Sequence, residues 1–227
     1  MRLTERDVRL VRDLALSHVL SRDQILSLGY FSSVTRTNTR LRELRSIGQV
    51  RSLMTPFFGQ HLYAAGPSAS SVVGERISPI LAGRTGTPRF VQHALCVTNV
   101  RIALALHGMV QWKFEQQSRS AFEYAGRRFE VRPDGLALLP NGMVAVEVDL
   151  GHVAVAKFRD KLLAYDAFVA SGCCARYWRT DTLRLLTVTT GKLRASRLQR
   201  VATNGLQIYT KFSTHDDLEV QFPGSWS

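Results

Sequence analysis

Residues 143–150 read Met143-Val144-Ala145-Val146-Glu147-Val148-Asp149-Leu150, a β-branched, apolar run with the composition of a central strand that nevertheless carries two carboxylates. Side chains alternate along a strand, so Ala145, Glu147 and Asp149 share one face and Val146, Val148 and Leu150 the other. Like charges buried side by side are costly unless a cation or a shared proton offsets them. A positive group is therefore expected against the Glu147 face. Upstream, Arg132-Pro133-Asp134-Gly135 brings a third carboxylate on a strand expected over 128–139. Pro140-Asn141-Gly142 joins that strand to the acidic one, Asn-Gly being a strong hairpin signal. Downstream, a helix expected over 155–170 buries Val155, Phe158, Leu162, Tyr165 and Val169 and carries Lys157 and Lys161 one turn apart.

Strand, hairpin, acidic strand and lysine-bearing helix is the order of a metal-dependent nuclease core, in which carboxylates hold a hard divalent cation and a lysine positions the attacking water. The restriction-endonuclease-like pattern has a lysine two residues after its acidic residue, where this chain has Asp149. An active site of that kind would rest on Asp134, Glu147, Asp149 and Lys161, with Asp134 and Glu147 as ligands of Mg2+ or Mn2+. In the alternative, no metal binds and Glu147 and Asp149 pair with Lys157 and Lys161. Residue types and spacing leave both open.

Toward the N-terminus, Thr4 ahead of Glu5 and Asp7 marks a helix start. Ser21-Arg22-Asp23-Gln24 is a capping box for a second, short helix that Gly29 stops. Ser33 caps a third, with Val34, Leu41, Leu44 and Ile47 on one stripe, and Arg36, Thr37, Thr39, Arg40, Arg42 and Arg45 around the rest. Two strands, 49–54 and 60–64, follow. Three helices and a hairpin form a winged helix-turn-helix, in which the third helix enters the major groove. The expected DNA contacts are Arg36, Thr37, Asn38, Arg40, Arg42 and Arg45, with Arg51 on the first strand of the hairpin.

Length permits two domains: 227 residues at 25.4 kDa, with 66–88 rich in Gly, Ser and Pro and without period. The expected division is a DNA-binding domain over 1–65, a linker over 66–88 and a second domain over 89–227. That second domain continues with a helix over 89–107, a strand over 111–117, the acidic hairpin, and after it a strand over 183–190, a basic helix over 192–202 and a strand over 206–212. No apolar run approaches bilayer length and no secretory leader opens the chain, so no membrane contact and a cytoplasmic location are expected. A formal charge of +12 and pI near 10.3 favour a polyanionic partner, double-stranded DNA first. The three cysteines draw neither a disulfide framework nor a zinc spacing.

Over nearly its full length the chain resembles the replication-relaxation family of plasmids and integrated mobile elements. The residues carrying the resemblance are Leu3-Thr4-Glu5-Arg6-Asp7, Arg40-Leu41-Arg42-Glu43-Leu44, His93-Ala94-Leu95, Arg132-Pro133-Asp134-Gly135, Glu147-Val148-Asp149 and Lys161-Leu162-Leu163-Ala164-Tyr165. It implies an α+β protein of two domains, an N-terminal winged helix-turn-helix and a C-terminal αβββαβ restriction-endonuclease-like core. It also implies DNA binding in the replication, transfer or transcriptional control of a mobile element, with the nuclease-like domain inactive or weakly active. A homodimer on an inverted repeat accompanies this reading. The alternatives are a Mg2+- or Mn2+-dependent endonuclease that nicks DNA, and an adaptor that contacts only proteins.

Overall fold

Thr4 starts helix α1 (Glu5–Ser17): its hydroxyl accepts from the Asp7 amide while the Asp7 carboxylate accepts from the Thr4 amide. Ser21 and Gln24 repeat the reciprocal cap for α2 (Arg22–Ser27), and the Ser33 hydroxyl caps α3 (Val34–Ser46) through the Arg36 amide. The computed structural model describes residues 2–53, 58–59, 61–74, 87–202 and 205–218. It has a mixed α+β architecture that divides into two units, Met1–Ile102 and Ala103–Ser227.

In the first unit, β2 (Val50–Leu53) pairs antiparallel with β3 (Leu62–Ala65), whose other edge takes β1 (Leu20–Ser21). Two residues are too few to show a period of two, which is why β1 is invisible in the sequence. Leu10, Val11, Leu14, Ile25, Leu41, Leu44 and Val50 meet in the core between the helices and this sheet. Val34, expected on the inward stripe, is 42% exposed. Residues 54–57 and 60 of the expected hairpin lie outside the described residues.

The segment expected as linker is in part packed: Pro67–Ala69 makes a 3-10 turn, α4 (Ser70–Val73) follows it, and Ala69 and Val73 are buried in the same core. Residues 75–86 lie outside the described residues. Helix α5 (Pro88–Leu106) then begins within the first unit. Gln24 Nε2 donates to Leu95 O at 2.8 Å and Asn99 Oδ1 at 2.6 Å, Arg101 pairs with Asp13 at 2.8 Å, and Val91 packs with Val19 and Leu62. The units separate inside α5, between Ile102 and Ala103.

The second unit is built on a five-stranded sheet of order β10-β9-β8-β7-β4. Its strands are β4 (Gln111–Phe114), β7 (Gly135–Leu139), β8 (Gly142–Asp149), β9 (Leu183–Thr189) and β10 (Ile208–Thr214). β4, β7 and β8 run antiparallel in turn, and β8, β9 and β10 are parallel, connected through α7 (Val155–Ala170) and α8 (Lys192–Gln199). Phe158, Leu162, Tyr165 and Phe168 of α7 and Leu198 of α8 cover the face formed by Leu136, Ala145 and Leu185. The strand expected over 128–139 is two strands. It breaks at Arg132-Pro133-Asp134, where proline has no amide to donate to a ladder. The first half, β6 (Arg127–Val131), pairs with β5 (Ser120–Tyr124) in a separate hairpin that turns at Ala125 and Gly126, with φ of 49° and 72°. A short helix, α6 (Glu115–Ser118), connects β4 to it.

The β4–β7 pairing depends on a residue without a side chain. A Cβ on Gly135 would fall within the Trp112 ring, far inside van der Waals contact. Gly135→Ala is expected to destabilise the second unit by about 1–3 kcal/mol, read as a lower urea midpoint at unchanged slope. An unchanged midpoint would show that the indole gives way without cost.

Candidate functional site

Helix α3 sorts its polar residues by side. Thr35, Arg36, Thr39, Arg42, Arg45 and Ser46 are exposed, and Asn38 is half-buried beside them. Arg51 is exposed on β2 and lines one concavity with Arg42 and Arg45. Five of the seven expected DNA contacts, Arg36, Asn38, Arg42, Arg45 and Arg51, thus lie at or near the surface of one helix and its adjoining strand. The other two do not. Thr37 is fully buried one turn before Leu41, and its hydroxyl donates to Ser33 O at 2.8 Å. Thr37 therefore faces the core.

Arg40 also turns inward. Its guanidinium grips Asp7 of α1 through two bonds, Nε to Oδ1 at 3.0 Å and NH2 to Oδ2 at 2.6 Å, and reaches Glu43 at 2.5 Å. The Asp7 side chain is fully buried, so a charge there needs partners. Burial raises its pKa, but the Arg40 guanidinium and the Thr4 hydroxyl and amide outweigh that and hold the carboxyl at about 2. Arg40 is the tie between α1 and α3, and its donors are directed at Asp7 and Glu43 rather than at a groove.

In the second unit the expected acid–base residues converge from separate elements. Glu147 is 3% exposed on central strand β8; Lys161 Nζ donates to its Oε2 at 2.5 Å and the Tyr165 hydroxyl to its Oε1 at 2.6 Å. Lys161 and Tyr165 lie one turn apart on α7, so one helix face supplies both donors. Asp134, in the break before β7, accepts the Val148 amide at 2.7 Å, and its charge acts on Glu147. Burial lifts the Glu147 carboxyl to about 7; Lys161 opposes the rise and Asp134 adds to it. Burial pulls the Lys161 ammonium down, but Glu147 and Asp134 more than reverse this, and its pKa is raised. The Tyr165 hydroxyl is driven well above its ordinary value by burial and by the same carboxylate.

Asp149 has a partner that residue spacing did not indicate. Arg194 of α8 binds it with both arms, Nε to Oδ1 at 3.0 Å and NH2 to Oδ2 at 2.8 Å, and also donates to Val153 O at 2.5 Å. Lys157, expected to share this role, is exposed and makes no ion pair among the described residues. The cations against the acidic face are thus Lys161, as expected, and Arg194 in place of Lys157. Tyr165 is legible in the sequence as a buried helix position, though not as a donor, and Arg194 lies in the expected basic helix, whose residues carry no sign of a partner on β8.

The acids do not fit a divalent cation as they stand. Both Glu147 oxygens accept from protein donors, both Asp149 oxygens take Arg194, and among the described residues no group of three or more His, Cys, Asp or Glu side chains is placed to hold a metal ion. The expected pair Asp134 and Glu147 serves instead as acceptor for the Val148 amide and for Lys161 and Tyr165.

Two stability measurements test these assignments. Arg40→Ala leaves Asp7 buried without its cation and should cost about 3 kcal/mol or more in urea unfolding of the first unit. Wild-type stability together with weakened duplex binding would return Arg40 to the surface. Glu147 has a folded pKa near 7 against an ordinary 4.5, so its contribution is full below pH 4.5 and is lost as the pH rises through 7. The loss is of order 3 kcal/mol. The stability of Glu147→Gln relative to wild type should therefore rise between about pH 5 and pH 8; a constant difference would sink the assignment.

The family model described as replication-relaxation matches residues 11–182, which contain the Arg40–Leu44, Arg132–Gly135, Glu147–Asp149 and Lys161–Tyr165 motifs. No curated protein matches the chain. Among solved structures it is similar to the crystal structure of protein VC1899 from Vibrio cholerae, with 13% sequence identity and a TM-score of 0.37. That similarity covers 93% of this chain and 48% of the other, so the chain spans about half the length of that protein. No described helix is long and apolar enough to cross a membrane. With three quarters of its length inside the family model, the chain belongs to the replication-relaxation family.

Proposed function

We propose that the chain binds double-stranded DNA through its N-terminal unit, a winged helix-turn-helix in which α3 enters the major groove and the β2–β3 hairpin rests on the backbone. Membership in the replication-relaxation family supports a role in the replication or transfer of a plasmid or other mobile element. The observation that carries the DNA reading is the composition of the outward side of α3: Arg36, Arg42 and Arg45 are exposed there, with Arg51 adjoining. The overall charge of +12 acts in the same direction.

The second unit supports this reading as a restriction-endonuclease-like scaffold. Taken in chain order, β4, β7, β8, α7 and β9 follow the βββαβ part of the αβββαβ pattern, with α6 and the β5–β6 hairpin inserted. Its acidic strand is neutralised by Lys161 and Arg194, which favours an inactive core over a nicking enzyme. A winged helix covers a short site, and a second copy on an inverted repeat completes the proposal.

Fluorescence anisotropy of the full chain on a labelled duplex of about thirty base pairs tests the reading, because phosphate contacts release counterions and log K falls linearly with log salt. Binding that weakens steeply from low to physiological salt is expected, with two chains per duplex by mass on an inverted repeat. Absence of duplex binding at every salt concentration would leave the protein-only adaptor.

A further inference from the structure

In the second unit two helices begin without the device that starts helices in the first. α1, α2 and α3 each open on a hydroxyl that accepts from the first turn, whereas α7 and α8 follow Ala154 and Gly191 and have no side-chain cap. Neither has an acidic residue in its first turn; Lys157 stands in one and Lys192 in the other. We propose that these two helix ends together bind a phosphate group, of the kind carried by a nucleic-acid strand or a free nucleotide, with Lys157 and Lys192 as its counter-charges. The site lies apart from α3 and does not depend on how α3 meets DNA.

The parallel topology brings the two ends together. Asp149 and Thr189 are register partners at the ends of β8 and β9, and from that one edge each strand leads into a helix on the same face of the sheet. Arg194, in the first turn of α8, donates to Val153 O at 2.5 Å, just ahead of the Ala154 that starts α7. A Cβ on Gly151 would lie 3.9 Å from Thr190 Oγ1, so the two connecting loops run side by side. Each helix end presents the amides of its first turn without intrahelical acceptors, together with about half a positive charge.

A lysine in a first turn opposes the helix dipole, and two at one edge repel each other. Lys157 and Lys192 are exposed, and neither makes an ion pair among the described residues. The acid between the helix ends, Asp149, is already filled: Arg194 takes both its oxygens, and the Gly151 amide donates to Oδ1 at 2.6 Å. Beneath the start of α8, two residues ahead of Gly191, Thr189 shares the helix-covered face with Asp149. Its side chain is fully buried and its hydroxyl has no hydrogen-bond partner among the described residues. Buried hydroxyls are seldom left so. Thr214, the register partner of Thr189 on β10, shows what such a group takes, since it donates to the Asp217 carboxylate at 2.7 Å. At Thr189 an oxygen of the bound group fills that place. A phosphate brings several acceptor oxygens and a charge that suits two helix ends and two ammonium groups.

Aspartate at positions 154 and 191 separates a ligand site from a merely weak helix start. Both positions have extended backbone, Ala154 is exposed, and a Cβ on Gly191 meets nothing within 4 Å, so the new side chains fit as caps. In chloride the full-length Ala154→Asp/Gly191→Asp double variant should melt above wild type. As inorganic phosphate replaces chloride at constant ionic strength, the wild-type midpoint should climb further, because a ligand of the folded state stabilises it. The double variant should show only the smaller rise that an excluded salt gives any protein. Lys157→Ala and Lys192→Ala should each weaken the phosphate response several-fold while melting near wild type in chloride, both positions being exposed. An equal phosphate response in wild type and double variant would overturn the proposal. Fluorescence anisotropy of a labelled single-stranded oligonucleotide of about twelve residues distinguishes the sources. Weaker binding by the two lysine variants assigns the phosphate to a nucleic-acid strand; unchanged binding beside a lost phosphate response assigns it to a free phosphate compound. None of these variants touches α3, so failure of wild type to bind duplex would remove the reading of the first unit and leave this one standing.

Discussion

A carboxylate on the central strand of a sheet, covered by a helix, has to be neutralised or protonated, and the second unit is arranged around doing both for Glu147. Leaving such a charge unpaired would cost several kcal/mol, a sizeable part of a domain's net stability. Lys161 provides the opposite charge from a side chain that remains 44% exposed, while Tyr165 supplies a neutral donor from full burial. The helix can present both because they are four residues apart, and Leu162 and Phe158 fix which face is presented. Two residues further along the same strand, Asp149 does the same for α8 through Arg194. Both crossover helices are therefore joined to β8 by charge as well as by apolar contact.

The first unit uses the same device at Asp7. Asp7 closes the N-terminal cap of α1 with one set of bonds and receives Arg40 of α3 with another, so a single buried carboxylate fixes both the start of one helix and the rotation of the other. Rotation matters here because it decides which side chains reach the surface. With Arg40 drawn inward and Thr37 in the core, Thr35, Thr39, Arg42 and Ser46 are left facing out. A different choice of buried residue would expose a different face.

Local chemistry was the legible part of the sequence. Thr4, Ser21 and Ser33 are all used as helix caps, α7 keeps its expected limits of 155 and 170, and the alternation along β8 puts Glu147 on the face that α7 covers. What escaped reading was set by distance in the chain or by brevity. Arg194 lies 45 residues from Asp149, and no periodicity links them. The β5–β6 hairpin turns at Ala125-Gly126, a weaker signal than Asn-Gly, and its strands carry exposed charges on both faces. Thr37 and Arg40 show a different conflict. Thr37 sits in helical step with Leu41 and Leu44 and is buried with them, but its polar side chain set it among the surface residues in the sequence.

The inward anchoring of Arg40 also bears on how such a protein can change over time. Because α3 is attached through Arg40, Thr37, Leu41 and Leu44, the residues that face outward contribute little to holding the helix in place. Display and attachment are thus encoded by separate sets of positions on the same thirteen residues. Substitutions on the outward residues can therefore accumulate at little cost to the fold while the attachment beneath is kept, and an engineer could regraft that face for the same reason.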